Sequence, residues 1–365
     1  MKLGKLEIQT NLLMAPMMDV TFPPIQVLCR SFGGVGIVVT PMIFVNQIHR
    51  APKTVKPLLE YVEKQQPIGV QIVSSGRDKE ALASTIDMLN SYSFDFLDIN
   101  AGCPARHTCG SGGGCNLIRT IEDNRLQTIV EYAVNHSNKP VSVKTRLGWS
   151  SAEHCVELAK KIEAWNPEFL TIHGRIGTQC YSGTVDYESI KRIKDALTIP
   201  VVGNGDVSDV PSYLKMKETG VDAIMIGRAL TNNPKIFSIL HEYEKTGKIL
   251  EYTPSIDAIR EYVDFLERYV NQMPSYWNNL RFKTGMFKMA TIGYLKGIPN
   301  YKKMRIKISM MKTFEEILAF IRSSEIESLC KISTLDCLNY DGEEQGKAKS
   351  KSKDEISDFD MNSCN

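Results

Sequence analysis

Eight short apolar runs, about 30 residues apart, punctuate the first 230 positions of the chain. They occupy 11–14, 36–40, 68–73, 96–100, 141–145, 170–173, 201–203 and 223–226, and each ends in a polar or glycine-rich loop. Amphipathic stretches with helical periodicity separate most of them, at 79–92, 122–135, 152–165, 189–197 and 210–219. Strands that alternate with helices pair in parallel, because a crossover through a helix returns the next strand in the same direction. Eight such units suit a closed (β/α)8 TIM barrel better than an open doubly wound sheet. No repeat is evident in the residues themselves, so the repetition is architectural.

The rhythm stops near residue 250. Helical patterns follow at 256–272, 279–296 and 313–322, with Pro274 and the Gly297-Ile298-Pro299 turn as punctuation. From about Lys331 the chain turns polar, with five Lys and eight Asp or Glu and few apolar anchors. The fold expected is therefore α/β: a (β/α)8 catalytic barrel over 1–249, a helical domain over 250–328 and a disordered tail over 329–365. A length of 365 residues accommodates one barrel of about 250 residues plus an appendage.

Several classes are excluded. The apolar runs are strand-sized, well short of the roughly 20 residues that cross a bilayer. The first ten residues lack the apolar stretch of a signal peptide, so the N-terminus reads as mature protein. Nine scattered cysteines argue against a disulfide framework and fit a reducing cytoplasm. Cys109 and Cys115 lack a second close pair and a histidine at ligand spacing, so no metal is expected. No membrane partner is expected either, and the chain reads as a monomer.

The polar residues at the strand ends form a coherent set, and in this architecture catalysis sits at those ends. They are Ala15-Pro16-Met17, Gln71, Asn100 with Cys103, Lys144 with Arg146, His173, Asn204-Gly205-Asp206 and Gly227-Arg228. Every strand but the second supplies a group. Loops after strands 7 and 8 often bind phosphate: glycines let backbone N–H groups approach the oxygens, and Arg228 adds charge. The alternative for Gly203-Asn204-Gly205-Asp206 is a plain tight turn. Lys144 should enter the barrel mouth, where it could face an electron-rich ring; the alternative is a frayed surface lysine. His173 alone would read as structural, but a neighbouring cofactor gives it a role. Cys103, held between Gly102 and Pro104, is an inert loop thiol, a general acid or a nucleophile, since a free thiol is mainly protonated at neutral pH. The run Gly110-Ser111-Gly112-Gly113-Gly114 could flex to admit a bulky substrate or approach phosphate.

These residues resemble the tRNA-dihydrouridine synthases, a family of FMN-binding (β/α)8 barrels with a C-terminal helical tRNA-binding domain. The resemblance runs from about Leu13 to Ile321. Its motifs are Ala15-Pro16-Met17; Asp98-Ile99-Asn100-Ala101-Gly102-Cys103-Pro104; Val143-Lys144-Thr145-Arg146-Leu147-Gly148-Trp149; Ile172-His173-Gly174-Arg175 with Gln179, Tyr181, Gly183 and Asp186; the Pro200–Asp206 segment; Met225-Ile226-Gly227-Arg228; and Gly293-Tyr294-Leu295-Lys296-Gly297-Ile298-Pro299. Each is weak alone, and their order and spacing are specific. The resemblance implies that Ala15, Pro16, Met17 and Gln71 line the isoalloxazine. It also implies that Lys144 and His173 hold the ring and ribityl chain, and that Asn204, Gly205, Asp206, Gly227 and Arg228 hold the FMN phosphate. Cys103 matches the family's catalytic cysteine, and Asn100, Arg146 and Tyr181 match positions facing the target uracil. The implied reaction reduces a uridine C5–C6 double bond: NADPH reduces FMN, hydride passes to C6, and the Cys103 thiol protonates C5 from the other side. The base must leave its stack to be reached.

The chain departs from the family pattern at five places. Ser74 stands for a usual Gly, Phe22 for an Asp, Pro41 for a Glu and Arg106 for a Lys, and the helical signature lacks an upstream His. The cofactor and acid set is intact, so these loop changes bear on substrate fit more than on the reaction.

An RNA partner has separate support. The net charge of +2, from 44 basic and 42 acidic residues, is uninformative. Yet residues 281–312 hold nine Lys or Arg and no Asp or Glu, while the acidic tail holds a net −3. Lys302, Lys303 and Arg305 should contact tRNA phosphates, and Tyr294 and Tyr301 could stack on bases or sugars. Competing readings are an FMN barrel enzyme acting on a free small molecule of dihydroorotate or enoate type, and a non-catalytic RNA-binding relative. A zinc-dependent barrel hydrolase is more remote, since the strand ends lack a His/Asp cluster. The basic stretch speaks against the small molecule, and intact Cys103 and Lys144 speak against loss of catalysis.

Overall fold

The computed structural model describes residues 1–272 and 279–331. Eight parallel strands carry the first unit: β1 (Leu12–Met14), β2 (Val38–Val39), β3 (Ile68–Val73), β4 (Phe96–Ala101), β5 (Val141–Arg146), β6 (Phe169–His173), β7 (Val201–Asn204) and β8 (Ala223–Ile226). Strands β2 to β8 pair in chain order and β8 returns to β1. The ring closes at a bridge between Leu13 and Ile37, where the Met14 N–H donates to the Ile37 carbonyl at 2.9 Å and the Gly36 N–H to the Leu12 carbonyl at 2.8 Å. All eight predicted runs are strands. The first two are shorter than the apolar pattern suggests, with three and two residues respectively.

Side chains alternate across each strand, so every second residue enters the barrel. The lower layers are apolar: Leu13, Ile37, Phe96, Phe169, Val202 and Ala223 belong to one buried cluster, and the rings of Phe96 and Phe169 lie 5.5 Å apart. Gly69 on β3 makes room for them, because a Cβ there would stand 2.2 Å from Cζ of Phe96. A hairpin, Lys2–Leu3 paired with Leu6–Glu7, adds Leu3, Leu6 and Ile8 to the same cluster. Its Lys5 N–H donates to the Glu168 carboxylate at 2.7 Å, at the start of β6. The hairpin thus plugs the N-terminal end of the barrel and leaves the C-terminal end for chemistry.

The second unit comprises 231–233 and the described residues from Tyr252 to Lys331. Its helices are Ile256–Gln272, Leu280–Tyr294, Tyr301–Met310, Phe314–Arg322 and Ser324–Lys331. The first is strongly amphipathic and buries Ile259, Tyr262, Val263, Leu266 and Val270. Helix Tyr301–Met310 went unread in the sequence because its lysines obscure the apolar period; only Met304 and Ile308 are buried. Helix Ser324–Lys331 carries the unit past residue 328, where composition placed its end. Of the expected tail over 329–365, residues 332–365 lie outside the described residues, as does Pro274.

Tyr294 is a core residue, 1% exposed and packed edge-on against Tyr262 at 5.6 Å, so it has no face to offer a base. Lys283 is likewise buried, with its ammonium 5.2 Å from the Phe314 ring centroid. The sequence window overstated the basic face by this lysine, because it counted charge without helix phase. Arg281, Lys296, Lys302, Lys303 and Lys312 are exposed, and Arg305 is partly buried.

Candidate active site

Strand register stacks the polar residues in tiers above the apolar layers. Gln71, Asp98 and Ser142 are register partners across β3, β4 and β5. Asn100 pairs with Lys144 one step higher. Arg146, His173 and Asn204 are partners across β5, β6 and β7 at the rim. The mouth therefore gathers Asn100, Lys144, Arg146, His173 and Asn204 from four adjacent strands, as their strand-end positions predicted.

The lowest polar tier carries a directional hydrogen-bond chain. Asp98 is 2% exposed and accepts from Ser142 Oγ and from Gln71 Nε2, each at 2.6 Å. Gln71 is fully buried and accepts on Oε1 from Asn100 Nδ2 at 2.9 Å. Asn100 then accepts on Oδ1 from the backbone N–H groups of Gly102, at 3.1 Å, and Cys103, at 2.9 Å. An ionised carboxylate accepts only, which orients both amides down the line. Burial raises the Asp98 pKa to about 6, against the pull of its bonds from Ser142 and Gln71. Asp98 was quoted only within a motif; its alternation with Asn100 was the signal that it also points inward.

The second strand does contribute, contrary to the sequence reading. Beyond β2, Thr40 Oγ1 accepts from the Gln71 backbone N–H at 3.1 Å and Met42 Sδ lies 3.5 Å from Asn100 Nδ2. The departure at Pro41 leaves both contacts in place. Ser74, where a Gly is usual, accepts on Oγ from the Gly76 N–H at 3.1 Å.

Cys103 is partly buried in the loop after β4. Its Sγ lies 3.4 Å from Thr108 Oγ1, and its carbonyl accepts the Cys115 N–H at 2.9 Å. The later part of the glycine run packs against it. Gly112, Gly113 and Gly114 are buried, and a Cβ on Gly114 would stand 2.5 Å from the Cys103 carbonyl oxygen. Arg125 Nη1 ties the run down through the carbonyls of Gly112 and Ser75, each at 2.8 Å. Arg146, expected to face the substrate, is 2% exposed and clamps two loops: Nε donates to the Gly102 carbonyl at 2.9 Å and Nη1 to the Ile176 carbonyl at 3.0 Å. Its guanidinium lies 5.5 Å from the Tyr181 ring centroid, and that of Arg228 lies 5.4 Å from it, so Tyr181 sits against two cations.

Lys144, Arg146, Arg175 and Arg228 concentrate positive charge at the rim, around His173. Lys144 Nζ donates to Asn204 Oδ1 at 3.0 Å, and Asn204 Nδ2 to the Met225 carbonyl at 2.8 Å. Burial, with Arg146 nearby, lowers the Lys144 pKa to about 8. Burial and then Arg146, Lys144, Arg175 and Arg228 hold the His173 pKa well below the usual histidine value. Asp206 bridges the guanidinium groups of Arg175 and Arg228, the latter at 2.6 Å. Its carboxylate is thus taken up by two arginines, and what it can offer an anion is its backbone N–H, in a left-handed conformation with φ 51°. Gly205 has φ +134°, and a Cβ there would stand 2.6 Å from Val185 and 3.2 Å from His173. Gly227 lies over Ala15 and Met17; Ala15 is buried, and Pro16 and Met17 are partly so. No cluster of three or more His, Cys, Asp or Glu able to hold a metal occurs among the described residues. No described helix is long and apolar enough to cross a membrane.

This rim suits a flat, electron-rich ring attached to an anionic group. It has a cationic wall with a single bridging carboxylate, a glycine cradle at Gly205 and an apolar floor at Ala15 and Met17. Comparison with known proteins points the same way. The dihydrouridine synthase (Dus) family model matches residues 13–329. The chain is 34% identical over 261 residues to tRNA-dihydrouridine synthase B of Vibrio parahaemolyticus serotype O3:K6 (strain RIMD 2210633), covering 70% of this chain and 78% of that protein. It is 32% identical over 280 residues to tRNA-dihydrouridine synthase B of Proteus vulgaris, covering 76% and 84%.

Proposed function

The chain belongs to the dihydrouridine synthase family, and from that premise we propose that it reduces the C5–C6 double bond of uridines in tRNA, with FMN as its flavin, NADPH as reductant and Cys103 as the acid. The observation that carries this reading is the convergence of Lys144, His173, Asn204 and Arg228 on one rim, with the Cys103 loop held at the same mouth by Asn100 and Arg146.

FMN, when bound, supplies the hydride. The protein's residues do the rest. Lys144 and His173 would meet the ring and ribityl chain, and Arg228 with the backbone at Gly205, Asp206 and Gly227 would meet the phosphate. Ala15, Pro16, Met17 and Gln71 would form the floor; of these Gln71 lies deepest and acts mainly through Asn100. Asn100, Arg146 and Tyr181 would border the uracil. The Cys103 thiol donates a proton to C5 from the face opposite the hydride donor. Arg146 keeps that thiol in place by anchoring the Gly102 carbonyl beside it.

Flavin binding is tested by the visible absorbance of the purified chain. A chain that holds no flavin even after reconstitution with FMN would remove the cofactor from the account. The pH dependence is specific. Lys144 in the free protein has its pKa lowered to about 8, and a ligand placing electron-rich atoms against it favours the charged form. Below about pH 8 the lysine is already charged and affinity should be flat. Above it, binding must take up a proton, and affinity should fall by up to about tenfold per pH unit. A fluorescence titration of apoprotein with FMN measures this; an affinity unchanged across that window would exclude Lys144 from the ring.

For tRNA, the exposed Lys302 and Lys303 with Arg305 supply phosphate contacts. Reversing all three to Glu should weaken tRNA binding and lower the slope of log affinity against log salt by about 2–3. Unchanged affinity and slope would refute that face. We further propose that the chain works as a cytoplasmic monomer.

A further inference from the structure

We infer that Arg175 is a positioning residue that locks His173 as a neutral imidazole with its proton on Nδ1, so that His173 serves the site as a hydrogen-bonding group and never as a proton source. Arg175 Nη1 lies 3.3 Å from His173 Nε2. A guanidinium has five N–H donors and no acceptor. The nitrogen facing it must therefore present a lone pair, and the imidazole proton is left on Nδ1. A second proton on Nε2 would point at an N–H of like charge.

Arg175 cannot turn away to admit that proton. It is 2% exposed, and its other donors are committed. Nε donates to the Ser182 carbonyl at 2.9 Å, Nη2 to the Gly183 carbonyl at 2.8 Å, and Nη1 to Asp206 Oδ1 at 3.0 Å. These partners come from the loop after β6 and from the end of β7, so the guanidinium plane is held from two elements. The charged groups facing His173 agree in sign on every side. Lys144 and Arg146 stand on β5, Arg175 lies on the histidine's own loop, and Arg228 follows β8. The nearby Asp206 carboxylate is already bridged between Arg175 and Arg228. His173 is 8% exposed, so water does little to screen them.

One consequence is a division of labour: a histidine that cannot charge leaves Cys103 as the acid. That consequence rests on the dihydrouridine synthase reading, whereas the tautomer stands on the protein's own geometry. The sequence showed Arg175 only as the last residue of a motif, with no sign that it doubles back on the histidine two residues earlier.

The test is nitrogen NMR of the full chain labelled with 15N-histidine, with the His173 signals assigned by their loss in His173→Gln. The expected result is a protonated-type shift at Nδ1 and an unprotonated-type shift at Nε2, both unmoved between about pH 8 and about pH 5. In Arg175→Met the fixed tautomer should be lost, with the proton shared between Nδ1 and Nε2, and Arg175→Lys, which keeps a donor, should restore it. Should Arg175→Met fail to fold, the wild-type spectrum still decides. A proton on Nε2, or titration of wild-type His173 near the ordinary value of about 6.5, overturns the proposal. The spectrum needs neither flavin nor tRNA turnover, so failure here and failure of the functional reading are read separately.

Discussion

Replacing Cys103 with alanine is expected to slow uridine reduction by about 10²–10⁴-fold, the usual worth of a positioned general acid, while NADPH reduces the bound flavin at the wild-type rate. The reason lies in how the thiol is held. Its loop is fixed by Asn100 accepting two backbone N–H groups and by Arg146 holding the Gly102 carbonyl. None of these contacts uses the sulfur. Among the described residues Sγ hydrogen-bonds the Thr108 Oγ1 side chain at 3.4 Å, a weak tie, so alanine should leave the backbone where it is. The two half-reactions separate the outcomes. Loss of tRNA reduction alone identifies Cys103 as the acid. Loss of flavin reduction as well would indicate a collapsed mouth, and full retention of both would transfer the proton to another group. Cys109 and Cys115 are poor substitutes: burial raises both thiols, and Cys115 Sγ donates to the Gly102 carbonyl.

The second large effect is expected at Asp98, which touches neither ring nor thiol. Asp98→Leu removes the acceptor for Ser142 Oγ and Gln71 Nε2 at a site 2% exposed. Each stranded donor costs about 1–3 kcal/mol, so chemical denaturation should show a loss of about 2–6 kcal/mol. The amide chain from Gln71 through Asn100 also loses its fixed direction, and uridine reduction should fall with it. Asp98→Asn should behave oppositely. Its Oδ1 can accept from Gln71, and its Nδ2 can donate to Ser142, whose hydroxyl can equally accept. The pH dependence follows from the raised pKa. Asp98 rises from 3.8 unfolded to about 6 folded. Its stability contribution is complete below 3.8 and is lost as pH rises through 6. Asp98→Asn should therefore gain on wild type across that window and remain ahead at neutral pH. An Asn variant as damaged as the Leu variant would mean that charge, not hydrogen-bond direction, organises the chain.

The barrel was legible because parallel strands buried on both faces read as near-continuous apolar runs, and their ends can be counted. β1 and β2 are shorter than their apolar runs, although the Asn11 carbonyl and the Gly36 N–H at the run starts still hydrogen-bond neighbouring strands. At the mouth, strand-end position alone located Asn100, Lys144, Arg146, His173 and Asn204. What it could not convey was who holds whom. Arg146 and Asp206 look like ligand-binding charges in a motif, yet one is a buried clamp on two carbonyls and the other a bridge between arginines. Those partners lie 22 to 44 residues away, and no periodicity encodes them. The same limit applies to the basic stretch, where helix phase separates exposed Lys302 and Lys303 from buried Lys283.

We propose that this rim reduces a uridine within tRNA. The most direct measurement incubates the purified full-length chain, loaded with FMN, with NADPH and an unmodified tRNA transcript, and then quantifies dihydrouridine in the digested RNA by mass spectrometry. Dihydrouridine should form at discrete positions with wild type and be nearly absent with Cys103→Ala. Flavin that cycles with NADPH while every uridine stays intact, together with reduction of a free enoate or of orotate, would contradict it.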